Sequence, residues 1–134
     1  SSHMVAKTKS ILVIDDNDDI RGLLSLVLQK EGYEVLEAAG GSEALIKINE
    51  SKPDLILLDV MMPGLSGLEV LATIRESREK KISEVPVIMI TAKSTIDDID
   101  AAIELGANSY IVKPFRPANL VEKVSEIFQA ALNN

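Results

Sequence analysis

The sequence predicts an α/β fold, a doubly wound parallel sheet of (βα)5 order with helices on both faces, and two observations carry that expectation. Short β-rich apolar runs alternate with segments of helical period along the chain, and three of the runs are almost continuously apolar, as strands covered on both faces must be. Each parallel neighbour has to be reached through a covering helix, so the alternation implies right-handed crossovers.

The three apolar runs are Ser10-Ile11-Leu12-Val13-Ile14, Asp54-Leu55-Ile56-Leu57-Leu58 and Val87-Ile88-Met89-Ile90, and they are expected at the centre of the sheet. Tyr33-Glu34-Val35-Leu36-Glu37 is mixed in character and Ser109-Tyr110-Ile111-Val112 is short, which suits both to the edges. Between them, Ile20, Leu23, Leu24, Val27 and Leu28 recur with the spacing of one buried helical stripe, and Gly32 follows where a helix C-terminus favours positive φ. Ser42 is the expected N-cap of a second helix, and Pro53 keeps the residue before it out of helical conformation. A third helix is expected from about Ser66 toward Glu79, with the charged cluster Arg78-Glu79-Lys80-Lys81 as a solvated loop. Ser94, Thr95 and Asp97 offer capping chemistry to a fourth helix carrying Ile99, Ala102 and Ile103, ended by Gly106. Pro117 suits the first turn of a fifth, with Leu120, Val124, Ile127 and Phe128 on one face.

Composition bounds the function. At 134 residues the chain is the size of one domain. A net charge of −7 leaves no basic stripe for nucleic acid or an anionic membrane surface, and suits a cation site instead. The absence of cysteine excludes disulfides, thiolate ligands and a thiol nucleophile, and fits a cytoplasmic protein. No apolar run approaches the roughly 18 residues of a membrane helix. Ser1-Ser2-His3-Met4 reads as a cloning remnant with a start methionine, leaving residues 5–134 as the domain. His3 is the only histidine, so a domain without it has no imidazole for a serine triad, a zinc site or histidine phosphotransfer. Chemistry must then rest on carboxylates, hydroxyls and lysines.

Such residues stand just past the strands. Asp15 and Asp16 follow the first, Asp59 the third, Thr91 the fourth and Lys113 the fifth, which places them on the carboxyl edge where open α/β sheets bind ligands. If the first and third strands are neighbours, three carboxylates converge and repel one another unless a cation neutralises them. Oxygen donors without nitrogen or sulfur point to Mg²⁺, which keeps several waters and recruits phosphate oxygens. Singly, each residue has a bland explanation: an aspartate after a strand is commonly a turn former or helix cap, and a lone lysine a solvated charge. Asp18 and Asp19 need do no more than favour a helix N-terminus. The combination, in this order on one edge, is the signal.

Ile11-Leu12-Val13-Ile14-Asp15-Asp16, Leu57-Leu58-Asp59-Val60-Met61-Met62-Pro63-Gly64, Ile90-Thr91-Ala92 and Val112-Lys113-Pro114-Phe115 together resemble the receiver domains of two-component response regulators, over essentially all of the chain after Met4. The resemblance implies a flavodoxin-like strand order 2-1-3-4-5 and a phosphorylation switch. By it, Asp59 is the phosphoacceptor, Asp16 binds Mg²⁺ directly, Asp15 acts mostly through water, and the Met61 backbone carbonyl completes the protein ligands. Thr91 is the hydroxyl that turns toward the phosphoryl group, Lys113 the lysine that contacts it, Lys113-Pro114 a cis peptide bond, and Tyr110 the aromatic switch residue. It further implies a histidine kinase or phosphotransfer protein as donor, an effector or output domain, readout by the face of helix four, strand five and helix five, and a homodimer formed on activation.

The residue types suit that chemistry independently: a carboxylate can form an acyl phosphate, and a dication and a lysine can stabilise the charge that builds on the transferring oxygens. Gly64 and Gly67 let the loop after Asp59 bend and the third helix start close to the site. Two other functions compete. A haloacid-dehalogenase-like phosphatase needs a second acid two residues after its nucleophile, where this chain has Met61. An unphosphorylated interaction module of the same fold would be marked by loss of an acid or the lysine, and all are present. No G-x-G-x-x-G or phosphate-loop lysine follows the first strand.

Overall fold

A computed structural model describes residues 7–133. The Ser1–Met4 segment, with His3, lies outside the described residues. Five strands, β1 (Ser10–Ile14), β2 (Glu34–Ala38), β3 (Leu55–Leu58), β4 (Val87–Thr91) and β5 (Ser109–Val112), form one parallel sheet in the order β2-β1-β3-β4-β5. The continuous apolar runs do take the centre: β3 and β4 are buried throughout and β1 from Ile11 onward, while the mixed β2 and short β5 form the edges.

Because successive strand residues point to opposite faces, the sheet divides the core in two. Leu12, Ile14, Ile56, Leu58, Val87 and Met89 pack toward α2 (Gly41–Ser51), α3 (Gly67–Arg75), α4 (Lys80–Ser83) and α5 (Ile96–Glu104). Ile11, Val13, Leu55, Leu57, Ile88 and Ile90 pack toward α1 (Asp18–Lys30) and α6 (Pro117–Leu132). Leu24 and Leu28 of α1 and Leu120 and Val124 of α6 are fully buried there, worth roughly 1.5–3 kcal/mol per side chain.

The helices depart from the sequence expectation in several places. Six are present among the described residues rather than five, because α3 stops at Arg75 and the charged cluster expected as a loop contributes the single-turn α4. Ile82 anchors that turn, 3% exposed among its polar neighbours. The face expected from helix four, strand five and helix five is therefore α5–β5–α6. Ser42 does not cap α2: the helix begins earlier, at Gly41, where a Cβ would stand 2.9 Å from Leu65 Cβ. Leu23 is 46% exposed, and Ser25 is buried in the stripe instead, its hydroxyl donating to the Arg21 carbonyl. Ile103 likewise faces outward. Thr95 caps α5 as expected, but its capping box closes with Asp98 rather than Asp97. Gly32 and Gly106 do take positive φ behind α1 and α5, and Pro117 opens α6.

Candidate functional site

The carboxyl edge of the sheet brings the predicted acids and lysine together. Parallel pairing of β1 with β3 sets Ile14 beside Leu58, so the residues that follow, Asp15 and Asp59, emerge side by side. Carboxylate oxygens of Asp15, Asp16 and Asp59 lie within 4.8 Å of one another. Asp15 and Asp59 are buried, and Asp16 is exposed at the mouth.

Each buried carboxylate is held on both oxygens. Asp15 Oδ1 accepts from the Asn17 amide at 2.9 Å, and Asp15 Oδ2 accepts from Lys113 Nζ at 2.6 Å. Asp59 Oδ1 accepts from the Met61 amide at 2.9 Å, and Asp59 Oδ2 from the same Nζ at 2.9 Å. Burial alone would push the Lys113 ammonium down; hydrogen bonds to Asp15 and Asp59 outweigh it and hold its pKa above the ordinary lysine value. The Lys113-Pro114 bond is cis, as expected.

Glycine permits the loop geometry around Asp59. Gly64 takes φ of 73°, and Gly67 donates its amide to the Val60 carbonyl at 3.0 Å. A Cβ on Gly67 would fall 2.0 Å from the Asp59 carbonyl oxygen, so only glycine lets α3 start against the loop that follows Asp59. Ser66 then caps α3 in a reciprocal box with Glu69.

Thr91 ends β4 with no exposed surface. It shares a sheet face with Met89, whose β5 partner is Tyr110, and Tyr110 packs half-buried against the same core. Residue 93 joins the two side chains: the Lys93 amide donates weakly to the Thr91 hydroxyl at 3.4 Å, and the Tyr110 hydroxyl donates to the Lys93 carbonyl at 2.8 Å. Burial raises the Tyr110 pKa, with Asp98 and Asp59 adding to the effect. Met61 is 54% exposed and, with Lys93, lines a shallow groove beside Asp59.

The donor set suits a hard dication. Three carboxylates against one ammonium leave two formal negative charges around one point, all the side-chain ligands are oxygen, and the exposed Asp16 leaves a path from solvent. Two contributors escaped the sequence reading. The Asn17 amide follows from its place at the N-cap of α1, a residue type that favours this position. Arg21, whose guanidinium donates to the Asp15 carbonyl at 2.8 Å, becomes visible only once β2 lies beside β1.

The model of the response regulator receiver domain family matches residues 11–125. The phosphate regulon transcriptional regulatory protein PhoB of Pseudomonas aeruginosa is 41% identical over 126 residues, covering 94% of this chain and 53% of that protein. The alkaline phosphatase synthesis transcriptional regulatory protein PhoP of Bacillus subtilis is 43% identical over 121 residues, 90% of this chain and 49% of its own length. The chain thus spans about half the length of the curated relatives it matches. Among solved structures, the chemotaxis protein CheY4 of Vibrio cholerae superposes with a TM-score of 0.83 at 32% identity, over 90% of this chain and 98% of that one. A CheY-like receiver domain protein from Methanospirillum hungatei gives 0.85 at 32% identity, over 92% and 96%.

Proposed function

The chain belongs to the response regulator receiver domain family, and from that premise we propose that it is a two-component signalling switch that takes a phosphoryl group onto Asp59 in the presence of Mg²⁺. The observation that carries this reading is the buried Asp59 carboxylate, bound on one oxygen by a backbone amide and on the other by Lys113, within 4.8 Å of two further acids.

In the proposed transfer, an Asp59 oxygen attacks phosphorus, a new O–P bond forms, and the bond to the donor nitrogen or oxygen breaks with its electron pair leaving on the donor. Mg²⁺, when bound by Asp15, Asp16, Asp59 and the Met61 carbonyl, supplies neutralisation of the phosphoryl oxygens. Lys113 Nζ already sits on Asp59 Oδ2, so it can follow the charge from the carboxylate to the incoming oxygens without being recruited from solvent. Met61 N–H fixes the rotation of the Asp59 carboxylate and steadies the nucleophile.

The bound phosphoryl group adds about −1.5 to −2 charge and strong acceptors, which favours turning the Thr91 hydroxyl toward Asp59. The Ala92–Lys93 peptide would move with it, and the Tyr110 hydroxyl, bonded to the Lys93 carbonyl in the next peptide along, would change place. The face remodelled is α5–β5–α6, the surface offered to an effector, an output segment or a second copy. The donors are a histidine kinase, a phosphotransfer protein or a small acyl phosphate, and the setting is the cytoplasm; no helix among the described residues is long and apolar enough to cross a membrane.

The test is incubation with Mg²⁺ and acetyl phosphate followed by intact-mass measurement. Wild type should gain one phosphoryl group and Asp59→Ala none; an adduct that survives in Asp59→Ala, or no adduct under varied donors, would overturn the reading. Signal lifetime gives a second expectation. Neither the Met61 thioether nor the Lys93 ammonium accepts a hydrogen bond well enough to orient a hydrolytic water. Met61→Asn should therefore shorten the acyl-phosphate half-life by about fivefold, the rate equivalent of one hydrogen bond of about 1 kcal/mol. Release of inorganic phosphate after donor removal measures it, and an unchanged or longer half-life would count against this assignment.

A further inference from the structure

We propose that Arg21 is a positioning residue for the cation site, holding the strand-to-loop peptide that aims the acid pair; the inference rests on the Mg²⁺ reading above. Arg21 lies in α1, away from the converging carboxylates, and is not one of the acids, hydroxyl or lysine assigned to the chemistry. Its guanidinium fork nevertheless closes on three segments at once. Nη1 donates to the Asp15 carbonyl at 2.8 Å, Nε pairs with Glu37 at the end of β2 at 3.0 Å, and Nη2 pairs with Asp18 in the first turn of α1 at 2.7 Å. The Arg21 side chain is 16% exposed but Asp18 and Glu37 are 84% and 42% exposed, so water screens the two ion pairs and the part-buried bond to the Asp15 carbonyl is the one that clamps the peptide.

The carbonyl it holds belongs to the residue where β1 gives way to the loop. The Asp15 amide still bonds Ala38 in the manner of the sheet, and the Ile14 carbonyl still accepts from Asp59 N. The Asp15 carbonyl, one residue past the end of β1, is taken up by a side chain instead. Fixing that carbonyl fixes the plane of the Asp15-Asp16 peptide, and with it the direction in which Asp16 leaves the backbone. Asp16 makes no hydrogen bond or ion pair of its own among the described residues, yet its carboxylate is held within 4.8 Å of two others of like charge. With no bond of its own to hold the side chain, the place of the Asp16 Cα, set by the clamped peptide, decides how readily its carboxylate reaches the other two.

The test separates geometry from charge by sign. A positive group near a cation site repels the cation, so charge alone predicts tighter Mg²⁺ binding when Arg21 is removed. Positioning predicts the reverse. With Mg²⁺ titrated calorimetrically into the full chain, Arg21→Met should weaken binding about 10- to 100-fold, the range for residues that orient metal ligands. Arg21→Lys keeps the charge, loses the fork, and should fall between the two. Thermal melting in chelator reports folding separately. A lowered melting temperature with unchanged or tighter Mg²⁺ binding would overturn the proposal, and if Arg21→Met does not fold, Arg21→Lys with wild-type affinity does so equally. Failure of wild type itself to bind Mg²⁺ would remove the cation reading and this inference together.

Discussion

Lys113→Met is expected to destabilise the domain by about 3 kcal/mol in chelator near neutral pH, the lower end of what removing one partner from a buried ion pair costs. Lys113 Nζ is the hydrogen-bonding cation shared by Asp15 and Asp59, whose side chains are 1% and 8% exposed. Without it, two buried carboxylates and Asp16 face one another with only the Asn17 and Met61 amides to offset their repulsion. Urea unfolding with and without Mg²⁺ measures the effect, and saturating Mg²⁺ should return much of the loss because a ligand that binds only the folded state adds its own stabilisation. Acetyl phosphate labelling of Asp59 should meanwhile slow by about 10²-fold, as for loss of one donor to a charged transition state. A variant as stable as wild type in chelator would mean that the three acids tolerate one another unaided.

The same ion pair sets a pH signature. Burial opposes the Lys113 charge, but its bonds to Asp15 and Asp59 prevail and raise its pKa on folding. A group whose pKa rises on folding contributes stability that is fully present below its unfolded value, here the ordinary 10.5 of lysine, and lost as pH climbs through the higher folded value. The stability difference between wild type and Lys113→Met should therefore be flat from neutral pH to the ordinary lysine range and shrink above it. A difference that instead grew on the alkaline side would contradict the ion-pair assignment.

The strands and the site edge were legible because both depend on local pattern. Ile11–Ile14, Leu55–Leu58 and Val87–Ile90 need no period to be read, since a strand covered on both faces is apolar at every position. Asp15, Asp59 and Lys113 follow from strand ends, and parallel register alone carries them to one place. What escaped depends on neighbours far along the chain. Leu23 fits the helical stripe by spacing, but Leu24 and Leu28 fill the contact and Ser25 can be buried because its hydroxyl finds the Arg21 carbonyl. Ser42 fits a cap by type, but Gly41 tucks beneath Leu65 and Val70, and the helix starts before it. The single turn α4 is polar except for Ile82, so one buried side chain is its whole sequence signature. The three-way grip of Arg21 needs β2 in place before it has meaning.

Arg75→Met should cost about 3–4 kcal/mol through a different mechanism, because no carboxylate among the described residues pairs with this arginine. Its Nε and Nη2 donate to the Gly106 carbonyl at 3.0 and 2.7 Å, its Nη1 to the carbonyls of Ser83 and Val85 at 3.0 and 2.7 Å, and its Nη2 also to Asn108 Oδ1 at 3.0 Å. Burial lowers its pKa, which is the expected mark of a cation satisfied by dipoles rather than by charge. Two connections are thereby tied to the end of α3: the one that leads from Ser83 of α4 into β4, and the one from α5 into β5. Methionine fills the stem but leaves carbonyls without donors, at about 1–3 kcal/mol for each one that water cannot reach. Lysine, with three donors and no planar fork, should recover about half of the loss. Urea unfolding measures both. Because Gly106 follows Leu105, the C-cap of α5, the clamp also fixes the root of the proposed signalling face. Hydrogen exchange of the Gly106, Ala107 and Asn108 amides should accelerate in Arg75→Met well beyond the change in global unfolding, since local opening no longer has to break the grip. Exchange that merely tracks global stability would make Arg75 a packing residue with no special hold on α5.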